Sequence, residues 1–156
     1  NVYRTDLPEG FLKNLKTYVK DYGCGLVACG GEDSFALGGY QDTELEKLLP
    51  AADEIVIARG DLGNAVHLWD LPGVQRQISE KCRAAGKPFM VVTQMLASME
   101  RSPVPTRAEV NDIFHAVMDG AASIMVTGET AVGDYPVEVI RYMVNTVRSA
   151  EKEENR

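Results

Sequence analysis

The stretch Glu54-Ile55-Val56-Ile57-Ala58-Arg59-Gly60-Asp61-Leu62-Gly63 decides the fold of this 156-residue chain. Its apolar part predicts a short β-strand that runs straight into Arg-Gly-Asp, so the carboxylate of Asp61 is presented at the carboxyl end of the strand. In α/β proteins, binding sites are built at that end of the sheet. Gly60 would let backbone N–H groups approach a ligand closely. The stretch therefore suggests a site for an anionic substrate bound together with a metal ion.

Three segments of the chain repeat one pattern, in which an apolar run is followed by a loop and then by apolar residues at helical spacing. The apolar runs cover residues 55–58, 88–93 and 124–127. Short, continuous apolar strands are typical of a parallel sheet, and strand–helix alternation predicts right-handed βαβ units. The helices are predicted from Leu71, Val74, Ile78 and Cys82; from Val110, Ile113, Phe114, Val117 and Met118; and from Val137, Ile140, Val144 and Val147.

The helix ends are also marked in the sequence. Gly86 and Gly120 are predicted to end the first two of these helices, and Pro136 suits the first turn of the last one. Capping boxes are predicted at residues 43–46 and 106–109, where Thr is followed three residues later by Glu.

The first third of the chain is less regular. An amphipathic helix is predicted from Phe11 to Tyr22, and a strand at residues 25–29. A closed eight-stranded barrel needs about 250 residues, so the whole chain is predicted to be a single partial-barrel domain. The charged tail, residues 151–156, is expected to fray.

Composition and charge exclude some classes of function. The chain is 45% hydrophobic and 25% charged, with a formal net charge of −7. This charge argues against nucleic-acid and membrane partners, although a local phosphate site remains compatible with it. Three cysteines and two histidines without metal-ligand spacing favour neither a disulfide framework nor a zinc site. No signal peptide or membrane span is visible in the sequence, and a cytoplasmic location is expected.

Several motifs occur in the order and spacing of one family. They are Ala58-Arg59-Gly60-Asp61-Leu62-Gly63, Ala85-Gly86-Lys87-Pro88, Thr93-Gln94-Met95-Leu96-Ala97-Ser98-Met99, Pro105-Thr106-Arg107-Ala108-Glu109, Asp119-Gly120-Ala121, Thr127-Gly128-Glu129-Thr130-Ala131 and Gly133-Asp134-Tyr135-Pro136. Together they make the chain resemble pyruvate kinase over about residues 43–150, whereas residues 1–42 match the family weakly.

The resemblance implies an α/β fold of parallel βα units, which would form the later part of a TIM (β/α)8 barrel and would be incomplete on its own. It implies transfer of a phosphoryl group from phosphoenolpyruvate to ADP, giving pyruvate and ATP, in a cytoplasmic enzyme of glycolysis. The cofactor would be Mg²⁺ or Mn²⁺, and the family also uses K⁺, whose site residues would lie outside this chain. Self-association or a missing barrel half would complete the fold.

The same resemblance gives roles to residues that follow the first strand. Asp61 would bind the metal ion, and the N–H groups of Gly60 and Asp61 would bind the substrate carboxylate. Arg59 would act in catalysis, or it would only brace the loop through an ion pair. Asp61 could instead be an ordinary helix N-cap or loop residue, so both interpretations stay open.

Further roles fall on residues after the second and third strands. The resemblance places the Thr93 hydroxyl at the substrate carboxylate or enolate, and Thr127 and Glu129 near the proton-transfer end of the substrate. The alternatives are a Thr that merely finishes a strand and a Glu129 that forms a structural ion pair. Glu109 is expected to serve its capping box, and Trp69 is expected to anchor a loop by packing.

The chain departs from the family at two places. The family's fifth barrel strand carries Lys-Ile-Glu, but residues 27–33 read Val-Ala-Cys-Gly-Gly-Glu-Asp and contain no Lys. An alignment without gaps places the Lys and the Glu on Phe35 and Leu37, which lack the required chemistry. If a loop insertion is allowed, Glu32 takes the place of the second metal carboxylate. Val132 stands where the family usually has a Lys associated with the nucleotide. Because one preorganised charge at a phosphoryl transition state changes the rate by orders of magnitude, the chain is expected to be a partial and inactive version.

Two other classes of function stay open. A metal-dependent lyase or aldolase of the phosphoenolpyruvate/pyruvate barrels also needs metal carboxylates and an enolate site, but no nucleotide Lys. A non-catalytic half-barrel that binds a partner or a second copy of itself would cover the open edges of the sheet.

Overall fold

The structure is a computed structural model that describes residues 8–21 and 52–154. The predicted strand at residues 25–29 and the predicted capping box at residues 43–46 lie outside the described residues. The same is true of Glu32, the candidate for a second metal ligand.

The chain divides into two compact units, residues 1–53 with 61–71 and residues 54–60 with 72–156. The chain passes from one unit to the other after residues 53, 60 and 71, and the second of these boundaries falls inside the helix α2, Arg59–Ala65. The assignment of the whole chain to one partial-barrel domain stays a prediction.

The described part of the first unit contains the helix α1, Phe11–Lys20, which confirms the amphipathic helix predicted there. It begins after Gly10, whose φ of 77° lies in the left-handed region that glycine adopts at little cost. Farther along the same unit, the rings of His67 and Trp69 stack with centroids 4.6 Å apart. Trp69 is nevertheless 78% exposed. Trp69 therefore packs on His67, and its expected role as an anchor of the loop stays a prediction.

The described part of the second unit is built on a parallel sheet of three strands in the order β1-β2-β3. The strands are β1 Ile55–Ala58, β2 Phe89–Val92 and β3 Ser123–Met125. The first two lie within the predicted apolar runs, and the third ends two residues before the predicted Thr127. Val91 of β2 is in register with Ile57 of β1 and with Ile124 of β3. The predicted α/β fold with parallel strands is confirmed.

Three long helices lie where the apolar spacing predicts them, and their bounds are α3 Leu71–Ala84, α4 Arg107–Met118 and α6 Pro136–Glu154. Where the sequence predicts only loops between the strands and these helices, the structure also has α2, the short α5 Gly128–Ala131 and a 3₁₀ helix at Ala97–Glu100. Gly86 and Gly120 follow α3 and α4 with φ angles of 63° and 89°, so both act as left-handed helix stops. Pro136 is the first residue of α6, where its missing N–H costs nothing.

The two faces of the sheet differ in burial because side chains alternate along each strand. Ile57, Phe89 and Val91 occupy one face and are fully buried in the core. On the other face, the edge-strand residues Val56 and Met125 are 52% and 41% exposed. Within the described residues, the sheet is thus packed on one side and open at the edges of the other.

Candidate active site

The carboxyl ends of the three strands bring the predicted site residues of the second unit to one edge of the sheet. β1 ends at Ala58, and Arg59 begins helix α2 without a spacer. β2 is followed directly by Thr93, and β3 ends two residues before Thr127. Because the strands are parallel and adjacent, these residues share the edge at which α/β proteins place their sites.

Thr93 and Gln94 have an unusual backbone. Their φ angles are 73° and 53°, in the left-handed region that is costly for side chains other than Gly, Asn and Asp. A β-branched residue is especially rare there. Such a conformation persists only where surrounding contacts hold it in place, and it turns the chain sharply at the end of β2.

Arg59 supplies those contacts. Its Nη2 and Nε donate to the carbonyl oxygen of Thr93 at 2.7 and 3.2 Å, and Nη2 also donates to the carbonyl of Gln94 at 3.2 Å. The same guanidinium pairs with Asp112 of α4. The side chain of Arg59 is only 10% exposed. The bracing role expected for Arg59 is thus present in the structure, with backbone carbonyls as partners in addition to an ion pair, and its catalytic role stays a prediction.

The Thr93 hydroxyl faces Gly60. The N–H of Gly60 donates to Oγ1 of Thr93 at 2.8 Å. A Cβ added at Gly60 would lie 3.6 Å from the same oxygen, which is an ordinary contact. The amide that was predicted to bind a substrate carboxylate is therefore already hydrogen-bonded, and its partner is the hydroxyl that was predicted to bind the same carboxylate.

Asp61 lies in the first turn of α2 and is exposed. A negative charge is favourable there because the N–H groups of the first turn have no acceptors within the helix. Asp61 belongs to the other compact unit. Its predicted grouping with Thr93 and Glu129 stays a prediction.

Glu129 is the most deeply buried of the predicted site residues, with 1% of its surface exposed. Its Oε1 accepts the N–H of Leu96 at 3.2 Å. Its Oε2 accepts the N–H of Thr127 at 2.8 Å and, more weakly, the Thr127 hydroxyl at 3.4 Å. Burial acts to raise the pKa of Glu129, but hydrogen bonds from its own N–H and from these backbone N–H groups outweigh burial and lower the pKa below its ordinary value.

The alternative expected for Glu129, a structural ion pair, is not what its contacts show. Among residues 8–21 and 52–154, its carboxylate is hydrogen-bonded to backbone N–H groups and a hydroxyl rather than paired with a cation. Thr127, the residue before α5, is itself exposed. Its carbonyl accepts the N–H groups of Thr130 and Ala131 at 3.2 and 3.0 Å. Hydrogen bonds at its N–H and at its carbonyl oxygen therefore hold the backbone of Thr127 in place, while its side chain is exposed.

Glu109 forms the predicted capping box and a second contact that the sequence did not reveal. Its carboxylate accepts the N–H and the hydroxyl of Thr106, each at 2.8 Å, and Thr106 in turn accepts the N–H of Glu109. The N–H of Ser98, in the 3₁₀ helix, also donates to Glu109 at 2.7 Å. Burial acts to raise the pKa of Glu109, and hydrogen bonds from Ser98 and Thr106 lower it further than burial raises it.

Two partners at this edge escaped sequence reasoning. Asp112 looks like any polar residue of an amphipathic helix, yet it is the acidic partner of Arg59, 53 residues away. The N–H of Leu96 is a backbone group with no sequence signal at all. Neither could have been found from local spacing.

The described residues do not build a metal site by themselves. Within residues 8–21 and 52–154, no three His, Cys, Asp or Glu side chains group in a way that could hold a metal ion. Of the two predicted ligands, Asp61 is exposed and Glu32 lies outside the described residues. In the same part of the chain, no helix is both long and apolar enough to cross a membrane.

Parallel βα units with polar residues at the carboxyl ends of their strands define an α/β protein with a candidate site at one edge of its sheet. Comparison with known proteins gives the family. The family described as "Pyruvate kinase, barrel domain" matches residues 40–140, close to the span over which the sequence resembles pyruvate kinase. The chain belongs to the pyruvate kinase family.

Individual relatives agree. The chain is 47% identical to a pyruvate kinase of Methylorubrum extorquens over 111 residues, which cover 71% of this chain and 23% of the relative. It is 40% identical to a pyruvate kinase of Clostridium acetobutylicum over 130 residues, which cover 81% of this chain and 28% of the relative. The chain thus spans less than a third of the length of these relatives.

A solved structure supports the same fold. The crystal structure of a pyruvate kinase from Cryptosporidium parvum superposes with a TM-score of 0.66 and 38% sequence identity. The match covers 70% of this chain and 22% of that structure.

Proposed function

We propose that this chain carries the phosphoenolpyruvate-binding part of a pyruvate kinase, an enzyme that moves a phosphoryl group from phosphoenolpyruvate to ADP. The observation that supports this most directly is the meeting of the Gly60 N–H and the Thr93 hydroxyl at 2.8 Å, at the carboxyl edge of the sheet. Both groups can donate to a carboxylate, and their mutual hydrogen bond places them side by side. Family membership supports the same reaction.

The geometry suggests how a carboxylate would enter. Oγ1 of Thr93 now accepts from Gly60, so the hydroxyl proton of Thr93 is available to a ligand. An arriving carboxylate would take over the Gly60 N–H and accept the Thr93 hydroxyl at the same time. The left-handed turn held by Arg59 orients the Thr93 side chain for this exchange.

Asp61 and Glu32 are the residues proposed to hold Mg²⁺ or Mn²⁺. Carboxylate oxygens are the ligands that these hard cations prefer, and the exposed carboxylate of Asp61 has the required chemistry. When bound, the cation would neutralise negative charge on the substrate. The exposed hydroxyl of Thr127, next to Glu129, is proposed at the proton-transfer end of the substrate.

The isolated chain is proposed to be inactive and to need a further part of the barrel, supplied by more polypeptide or by self-association. It matches less than a third of its relatives' length, and the half-exposed Val56 and Met125 leave one face of the sheet open at its edges. The buried free thiol of Cys82 is compatible with the reducing cytoplasm, where we place the enzyme.

The test begins with the complete natural protein that includes this chain. It is expected to form pyruvate from phosphoenolpyruvate and ADP with Mg²⁺ and K⁺ in a lactate-dehydrogenase-coupled assay. Thr93→Val keeps the shape but removes the hydroxyl, and is expected to raise the KM for phosphoenolpyruvate by about tenfold or more. Thr93→Ser restores the hydroxyl and should retain most of the affinity. No pyruvate above background from the wild-type protein would refute the proposal.

One observation favours a second candidate, a metal-dependent lyase or aldolase. Val132 is 67% exposed at the position where the family usually has a nucleotide-associated Lys. An enzyme without that Lys could still handle a pyruvate enolate. Exchange of pyruvate methyl protons with solvent in the absence of ADP, combined with no ATP formation, would support this candidate over the kinase.

A further inference from the structure

We infer that Glu129 is a positioning residue of the proposed site, and that its carboxylate ties the loop after β2 to the loop after β3 instead of exchanging a proton with the substrate. The inference rests on the proposed function for its catalytic consequence. The structural tie itself is independent of that function.

Both carboxylate oxygens of Glu129 are engaged. Oε1 accepts the N–H of Leu96, which lies in the loop after β2, 33 residues away. Oε2 accepts the N–H of Thr127 in the loop after β3. With 1% of its surface exposed, the side chain has no free face toward a substrate in this structure. Glu129 can therefore influence the substrate only indirectly, by holding Thr127 and the segment around Leu96 in position.

The surrounding groups favour the charged carboxylate. N–H groups of Leu96 and Thr127 and the Thr127 hydroxyl can all donate to it. Protonation would put an O–H where donors already point, so it would remove at least one of these bonds. The lowered pKa of Glu129 agrees with this geometry. A group held as an anion at neutral pH is a poor proton donor.

Other contacts join the same two loops, which makes Glu129 part of a larger tie. The N–H of Asp134 donates to the carbonyl of Glu100 at 2.9 Å, and Arg101 pairs with Asp134 at 3.1 Å. At Gly133, an added Cβ would lie 2.3 Å from the carbonyl oxygen of Glu129 and 3.2 Å from Cα of Glu100. The loops therefore touch at both ends of α5, and Glu129 is the deeply buried contact among them.

Glu109 provides a matched control within the same chain. It also accepts a backbone N–H of the segment after β2, that of Ser98 at 2.7 Å, and its pKa is also lowered. It approaches that segment from α4 instead of from the loop after β3. Replacing Glu109 should loosen Ser98 but leave the tie between Leu96 and Thr127 intact.

The experiment uses the complete natural protein with Glu129→Gln and Glu109→Gln. Amide hydrogen exchange at Leu96, at Thr127 or at both is expected to be about 10- to 100-fold faster in Glu129→Gln, since Gln offers one neutral acceptor oxygen in place of the two charged oxygens that accept these N–H groups. Glu109→Gln should accelerate amide exchange at Ser98 and leave amide exchange at Leu96 and Thr127 unchanged. In the same variant pair, kcat of Glu129→Gln is expected to fall by a similar factor, while the apparent pKa values of the kcat–pH profile stay where they are in the wild type.

Unchanged exchange at Leu96 and Thr127 in Glu129→Gln would overturn the tie. Loss of one limb of the kcat–pH profile in that variant would overturn the positioning role in favour of proton transfer. If Glu129→Gln does not fold, Glu129→Asp, which keeps the charge but shortens the reach, is measured in its place and judged by the exchange at Leu96 and Thr127: faster exchange supports the tie, and unchanged exchange overturns it. A wild-type protein without kinase activity would refute the proposed function, yet the exchange measurement would still decide whether Glu129 ties the loops.

Discussion

Replacing Arg59 should release the turn that carries Thr93, because Arg59 holds two carbonyl groups of that turn. Arg59→Met keeps much of the apolar stem and removes the charged donors. The bond to the Thr93 carbonyl at 2.7 Å is the strongest of these, and hydrogen bonds of charged groups are worth about 1.5–3 kcal/mol. The contact to the Gln94 carbonyl is longer, at 3.2 Å, and more exposed. Once Arg59 is replaced, Asp112, which is 34% exposed, regains part of its hydration, and this reduces the cost of losing the ion pair. We expect a total cost of about 2–4 kcal/mol.

Two further variants separate the contributions. Arg59→Lys keeps the charge near Asp112 but cannot reproduce the planar fork, so a cost of about 1–2 kcal/mol is expected. Asp112→Asn removes the charge of the partner and leaves the carbonyl contacts of Arg59 in place, and should cost less than about 1 kcal/mol. The expected order of destabilisation is therefore Arg59→Met, then Arg59→Lys, then Asp112→Asn.

Native-state hydrogen exchange at the β2 amides, residues 89–92, measures these differences as opening free energies of the unit that contains the sheet. The measurement suits a protein with more than one compact unit, in which a single unfolding transition is not assured. An Asp112→Asn variant as destabilised as Arg59→Met would refute the reasoning, because the ion pair and not the carbonyl contacts would then hold the turn. A cost below about 0.5 kcal/mol for Arg59→Met would refute it as well.

The remaining predictions concern acid stability, packing and thiol reactivity. The pKa values of Glu109 and Glu129 are lower in the folded chain than the unfolded value of about 4.3, so the stability that these carboxylates contribute is complete above that pH and is lost as the pH falls through the folded pKa. Glu109→Gln should therefore flatten the pH dependence of the β2 opening free energy below about pH 4.3, and an unchanged slope would contradict this. Gly133→Ala should lower the β2 opening free energy by about 1–3 kcal/mol, since the added Cβ would lie 2.3 Å from a backbone oxygen. As the control, Gly73→Ala, whose Cβ would have nothing within 4 Å, should stabilise α3 by about 0.5–1 kcal/mol. Cys82 is buried, and burial raises the pKa of its thiol. Iodoacetamide at pH 8 should therefore modify Cys82 far more slowly in the native protein than in urea, as measured from the mass of the Cys82 peptide. Equal rates would contradict the burial of this thiol.

Local patterns were enough to predict much of the fold. The capping box of Thr106 and Glu109, the glycine stop at Gly120 and the start of α6 at Pro136 all appear where the sequence predicts them. Each depends on interactions within a few residues, such as a side chain that reaches a backbone N–H three residues away. Such interactions are encoded in spacing and survive whatever the rest of the chain does.

The candidate site was predicted only in part. Sequence and resemblance brought Thr93, Thr127 and Glu129 to the ends of neighbouring strands, and the structure places them there. The roles proposed for them depend on details that spacing does not carry. The Thr93 hydroxyl is engaged with Gly60, and Glu129 is engaged with Leu96, both across more than 30 residues of sequence.

By itself, the sequence determined where the strands and the long helices of the sheet-bearing unit lie and which family the chain resembles, because apolar periodicity, caps and ordered motifs are local properties. Tertiary structure alone decided that Arg59 holds the left-handed turn of Thr93 and Gln94, and that Glu129 joins two loops. These contacts link residues 33 and 34 positions apart, and they exist only because the parallel register brings β1, β2 and β3 side by side. The physical reason is that hydrogen bonds form between neighbours in space, and register, which depends on the burial of a whole sheet face, determines which residues become neighbours.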